Sequence, residues 1–148
     1  MNVKTIAVLI LALGVFACEK EGNETKISSY GSSESHNAGQ NCMSCHKSGG
    51  DGEGWFTLAG TIYDSVQVST YANATVKLHT GLNGTGTLTA TIQADAKGNF
   101  YTTEDINFGN GVYVSVNGNL TTTNMYVPIS NGACNSCHGA STDRIWVK

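Results

Sequence analysis

The chain has 148 residues, and its 8 basic Lys and Arg residues against 11 Asp and Glu residues give a formal net charge of −3 at pH 7. This mild acidity, without a basic cluster, argues against nucleic acid as a partner. No segment beyond the N-terminus has an apolar run that could cross a bilayer.

At the N-terminus, Lys4 precedes an uncharged apolar run that ends at Ala17 and Cys18. The run is too short for a comfortable membrane span, so it predicts a secretory signal peptide over residues 1–17. The sequence "VFAC" at 15–18 resembles a bacterial lipobox, although Phe16 is bulkier than the usual residue there. The resemblance implies lipidation of Cys18, which would anchor the exported chain to a membrane on the periplasmic side or outer surface of a bacterial envelope.

Residues 18–40 begin with the lipidated Cys18 and continue with many Ser, Glu, Asn and Gly residues and few apolar ones. Such a composition is typical of a flexible, solvated tether. The tether would hold the folded part of the chain away from the bilayer.

Two copies of Cys-x-x-Cys-His follow, "CMSCH" at 42–46 and "CNSCH" at 134–138. If these motifs bind haem, they mark a first haem-binding segment over 41–54 and a second over 131–148. A disulfide inside Cys-x-x-Cys closes a very short loop and adds little stability, and the βαβ pattern that usually surrounds a redox dithiol is missing. Four thiolates could hold one zinc ion, but this alternative gives His46 and His138 no role.

Between the motifs, residues 55–130 show the period-two alternation of β-strands, as in Val76 and Leu78 or in Val112, Val114 and Val116. Turn-forming clusters such as "DAKGN" at 95–99 separate the runs. About seven short strands are predicted, which gives an all-β fold, an antiparallel β-sandwich. The order "AGTIYD", "ANATVKL", "ADAKGNFY", "GVYVSV" resembles carboxypeptidase regulatory-like, prealbumin-like domains. In that family the sandwich is usually a scaffold, so fold alone implies no function.

The two pentapeptides resemble the attachment motif of c-type cytochromes. This resemblance implies two covalently bound haem c groups, with Cys42, Cys45, Cys134 and Cys137 as thioether anchors and His46 and His138 as proximal ligands of iron. The spacing suits this chemistry, because two thiols three positions apart reach both vinyl groups and the adjacent histidine falls beneath the ring.

Three residues are candidates for the distal ligands. Alternation along "ATVKLHT" turns His79 away from the apolar face of its strand, while His36 lies six residues before Cys42 and is equally compatible with a solvated histidine. Met125, nine residues before Cys134, could act as a thioether ligand or as a core residue at a strand end.

The sequence therefore predicts an electron-transfer protein that carries single electrons between periplasmic or cell-surface redox proteins or other cytochromes, with extracellular electron transfer as one such role. Two alternatives stay open: a haem enzyme of peroxidase or reductase type with an open iron site, and a zinc-stapled binding module. If residues 118–133 form a returning strand, the two motifs lie on the same side of the sandwich. Motifs at opposite ends would instead favour self-assembly into filaments.

Overall fold

The computed structural model describes residues 22–148. The predicted signal peptide and Cys18 lie outside these residues. Within the described part, no helix is long and apolar enough to cross a membrane.

Eight strands form two β-sheets in the described residues, which confirms the predicted all-β sandwich. In chain order they are β1 (Leu58–Tyr63), β2 (Thr75–His79), β3 (Leu88–Gln93), β4 (Asn99–Thr102), β5 (Tyr113–Asn117), β6 (Thr122–Asn124), β7 (Gly132–Ala133) and β8 (Ile145–Trp146). Between residues 22 and 148, three short 3-10 turns accompany the strands, at Cys42–Ser44, Leu82–Gly84 and Cys134–Ser136.

The first sheet is built around β1, which pairs with β4 along one edge and with both β7 and β8 along the other. The second sheet has the order β3-β2-β5-β6 and is antiparallel throughout. The prediction of a wholly antiparallel sandwich needs one correction, since β7 and β8 run parallel to β1. The chain leaves β6 in the second sheet, crosses to the first, and arrives at the free edge of β1 in the same direction as that strand.

The C-terminal segment serves both the sheet and the second motif. β7 pairs with the start of β1 at Leu58, and β8 pairs with its end at Ile62. Residues 134–144 lie between β7 and β8 in the chain, extend away from this edge of the sheet, and carry the second pentapeptide. The predicted second haem-binding segment, 131–148, is therefore also part of the first sheet.

The core lies between the sheets and follows the alternation seen in the sequence. Val76 and Leu78 of β2 point inward and are fully buried, as are Leu58, Ile62 and Phe100 of the facing sheet. Burial of each such side chain contributes about 1.5–3 kcal/mol. β1 departs from the alternation because all six of its residues are buried.

The outer face of β1 is buried because the chain before the first motif covers it. The amide of Gly39 donates to Thr61 Oγ1 at 2.8 Å, and an added Cβ at Gly39 would meet the Tyr63 hydroxyl. The predicted flexible tether, 18–40, is thus folded from Ile27 onward, where the chain bridges Thr102 of β4. Polar side chains make these contacts, which explains why composition alone indicated a solvated segment.

Ser28 fastens this N-terminal segment to the sandwich and is 2% exposed. Its hydroxyl donates to the Gln93 carbonyl at 2.6 Å and accepts from the Tyr101 amide at 2.9 Å. We expect Ser28→Ala to lower the free energy of unfolding by about 1–3 kcal/mol, because it leaves both buried backbone groups without this partner. Chemical denaturation measures this, with the exposed Ser29→Ala as control; equal stability of the two variants would contradict it.

Candidate functional site

Both pentapeptides fold in the same way. Each begins with a 3-10 turn, and the histidine amide donates to the carbonyl of the first cysteine, at 2.9 Å for His46 and Cys42 and at 3.0 Å for His138 and Cys134. The serine before each second cysteine donates its hydroxyl to the carbonyl of the residue before the motif. The repeated sequence therefore encodes a repeated local structure.

The two motif histidines also have the same ring environment. The Nδ1 atom of His46 lies 2.8 Å from the Glu53 carbonyl oxygen, and Nδ1 of His138 lies 2.7 Å from the Asp143 carbonyl oxygen. A carbonyl oxygen only accepts, so Nδ1 carries a proton in each ring, and in the neutral imidazole Nε2 then keeps its lone pair. In metalloproteins, the same hydrogen bond to a backbone carbonyl commonly fixes the tautomer and the orientation of a histidine that ligates a metal ion.

The first motif lines a cavity of about 580 Å³ on the outer face of the first sheet. Cys42, Cys45 and His46 form part of its wall together with His36 and Tyr101. The ring centroids of His36 and His46 are 5.8 Å apart, with 38° between the ring planes. The structure thus brings the predicted distal candidate His36 to the predicted proximal ligand.

Two strands hold the backbone on either side of His36. The Ser35 hydroxyl accepts from Asn99 of β4 at 2.9 Å, and its carbonyl accepts from Lys97 Nζ at 2.6 Å. On the other side, Gly39 is bonded to Thr61 of β1. His36 is itself exposed, but it is not at the end of a free tail.

The imidazole of His46 is clamped between two neighbours that the sequence analysis did not identify. Phe56 stacks on it with centroids 4.2 Å apart and 8° between the planes, and Tyr101 continues the stack at 4.8 Å from Phe56. A Cβ on Gly52 would lie 2.7–2.9 Å from Nδ1, Cγ and Cε1 of His46, which places Gly52 over a ring face. Because Phe56 cannot share that face, the two residues fix the ring plane from opposite sides.

An exposed ion pair steadies the loop that carries Glu53. Lys26 Nζ donates to the Glu53 carboxylate at 2.9 Å and lies 3.5 Å from Glu24. The hydrogen bond to Lys26 lowers the pKa of Glu53. This contact joins the N-terminal segment to the residue whose carbonyl orients His46.

The second motif lines a cavity of about 520 Å³ at the open edge of the sandwich. The cavity reaches from Cys134, Cys137 and His138 to Met125 and to Phe100 of the core. The amide of Met125 donates to the Val114 carbonyl at 2.8 Å. The predicted candidate Met125 therefore lies in the same cavity as the predicted proximal ligand His138.

The two motifs meet at β1. Gly60 of β1 would bring an added Cβ to 3.0 Å from the Cβ of Cys134, while the segment leading to the first motif bonds to Thr61. Burial is the main cause of the raised pKa of Cys134, and the nearby Cys42 raises it further. Residues 122–129 also return antiparallel to β5, through β6 and a bridge from Ile129 to Val112. Gly60 and Thr61 are neighbours in β1 and point to opposite faces of the strand, so the two sites lie close to the same strand but approach it from different faces. The same-side pair of sites stays a prediction.

His79 lies apart from both cavities. It ends β2, and the strand alternation places it, as predicted, on the face opposite to Val76 and Leu78. It lines neither cavity, and its buried Nδ1 has no hydrogen-bond partner. The predicted distal role of His79 stays a prediction that this placement does not support.

The four motif cysteines are free thiols, and their surroundings differ within each pair. Cys45 and Cys137 are exposed, whereas burial raises the pKa of Cys42 and raises that of Cys134 to about 12. In protein folded without haem, we expect an alkylating reagent to label Cys45 and Cys137 about tenfold faster than Cys42 and Cys134. The reagent must reach the sulfur, and only the thiolate reacts. Peptide mass spectrometry follows the rates, and faster labelling of Cys134 than of Cys137 would contradict the prediction.

Within residues 22–148, no group of three or more His, Cys, Asp or Glu side chains is placed to hold a metal ion. Comparison of the chain with protein-family models, with curated proteins and with solved structures gives no match.

The residues of both sites fit a covalently attached haem. Each pentapeptide presents its thiols and a histidine with a free Nε2 to a cavity in the range of cofactor sites, about 300–1,000 Å³. The first site offers a further test. Two metal–imidazole bonds of about 2 Å each, with about 1 Å from each bound nitrogen to its ring centroid, separate two centroids by about 6 Å. The spacing between His36 and His46 is 5.8 Å.

Proposed function

We propose that this protein is an exported, lipid-anchored dihaem cytochrome c. It carries single electrons between redox proteins at the periplasmic side or outer surface of a bacterial envelope. Cys42, Cys45, Cys134 and Cys137 hold the two haems, and His46 and His138 are the proximal ligands. Lipidation of Cys18 provides the membrane anchor.

The observation that carries the proposal is the duplicated ring environment of the two histidines. Each Nδ1 donates to a backbone carbonyl, of Glu53 or Asp143, which leaves each Nε2 available to ligate a metal ion. A disulfide or a redox dithiol has no need of such a histidine. Two independent loops of unrelated sequence, 47–53 and 139–143, supply this carbonyl, which supports a common ligand chemistry.

In this proposal, the chain holds each haem, orients the histidine that ligates its iron and shields the haem from solvent. When bound, each haem iron would alternate between its ferrous and ferric forms and so take up or release one electron. Glu53 and Asp143 fix the imidazoles, Phe56 and Gly52 fix the ring plane at the first site, and the core residue Phe100 forms the inner wall of the second cavity. These contacts would hold each imidazole in one orientation when the haem is bound.

A redox titration of the full chain, produced with a haem c maturation system, tests the function. The protein should take up two electrons per chain and should be reoxidised on mixing with an oxidised soluble cytochrome c. Rapid consumption of hydrogen peroxide would instead support the enzyme alternative. A colourless, redox-inactive protein that contains zinc would overturn the proposal.

A further inference from the structure

We propose that the chain gives its two haems unlike sixth ligands, His36 at the first site and Met125 at the second, so that the second site has the higher reduction potential. This inference rests on the proposed function and adds to it an order between the two sites.

At the first site, His36 is the lining side chain best placed to be a second axial ligand. Its ring lies 5.8 Å from that of His46, the spacing expected of two imidazoles on one metal ion. Lys26 is held by Glu53 and Glu24, and Tyr101 is stacked on Phe56. Burial also raises the pKa of Tyr101, which keeps it a neutral phenol. The anchoring of Ser35 and Gly39 holds the His36 backbone before any ligand binds.

At the second site the available ligands are different. Among the described residues that line this cavity, His138 is the one histidine, and Met125 is the one other side chain, besides the two cysteines, of a type that ligates haem iron. The Arg144 guanidinium is cationic and has no lone pair to donate; it lies 4.5 Å from the Tyr63 ring centroid and donates to the Gln67 carbonyl.

Unlike ligands set an order of potentials. A methionine in place of a second histidine raises the reduction potential of haem iron. One electron would therefore pass from the ferrous first site to the ferric second site, without proton transfer or bond cleavage. A reduced one-electron carrier protein of lower potential would supply the electron at the first site, and an oxidised carrier protein of higher potential would remove it from the second.

The test uses full-chain protein carrying two covalent haems, studied as His36→Ala, Met125→Leu and, as controls, His79→Ala and Leu120→Ala. Met125→Leu keeps the size of the side chain and removes the sulfur, and Leu120 is 83% exposed. The parent protein should titrate in two separate one-electron steps and show a sulfur-to-iron charge-transfer band. His36→Ala should raise the reduction potential of the lower step. It should also change the number of carbon monoxide molecules bound per chain from none to one. Met125→Leu should abolish the charge-transfer band and change the reduction potential of the upper step only.

Two results would overturn this inference while leaving two haems in place. One is an unchanged spectrum and potential in both His36→Ala and Met125→Leu. The other is a new carbon monoxide site in His79→Ala. A matured chain without haem would overturn the proposed function itself, and haem content measured first separates this outcome from the other two.

Discussion

Replacing Cys42 and Cys45 together with serine should remove one of two haems and leave the other in place. Serine cannot form a thioether, so His46 alone would have to retain the cofactor. The second motif keeps its own cysteines, its own histidine and its own orienting carbonyl at Asp143. The haem absorption of the matured protein should fall to about half, since one of the two haems is lost.

The matched variant replaces Cys134 and Cys137 with serine. It should give the same loss of one haem, and the four-cysteine variant should contain no covalent haem. Complete loss of haem in either two-cysteine variant would contradict the account, because it would show that the two motifs do not form separate sites.

Gly52→Ala should alter the first haem without detaching it. The new Cβ would lie 2.7 Å from Nδ1 of His46. Phe56 packs on the opposite face of the imidazole and prevents the ring from moving away from this Cβ. The ring must shift, which strains its bond to Glu53, so we expect a changed spectrum for one of two haems and a stability loss of about 1–3 kcal/mol. Mass spectrometry should still find both haems, because the cysteines are untouched.

The exposed Ser48→Ala, in the same loop, is the control for Gly52→Ala. It changes side-chain size on the solvent side without approaching the His46 ring. If the two variants have the same visible spectrum and the same reduction potentials, the contacts of Gly52 and Phe56 do not set the geometry of His46.

Local sequence patterns were sufficient to predict several strands of the second sheet and the turn that follows β3. The alternation of Val76 and Leu78 with polar residues matches their burial, and the turn predicted at 95–99 forms around Asp95, whose Oδ1 accepts from the Lys97 and Asn99 amides. The parallel strands β7 and β8 could not be predicted in this way. Each has two residues, too few to show a period, and their pairing depends on where the chain returns to β1.

The site was predictable only where a motif carries the chemistry. The four cysteines, His46 and His138 follow from the pentapeptides, whereas Gly52 and Phe56 act through tertiary contact with the ring. The distal candidates show the same limit. Strand alternation favoured His79, but proximity to His46 depends on the anchoring of Ser35 and Gly39, which composition had suggested to be part of a flexible tether.

The central claim is that each pentapeptide holds a haem covalently. The most direct measurement is the intact mass of the matured full chain after acid-acetone extraction, which removes haem that is not covalently bound. The account predicts a polypeptide mass increased by two haems, with peptides containing Cys42–Cys45 and Cys134–Cys137 each carrying one. A mass without haem, accompanied by four free thiols or bound zinc, would contradict it.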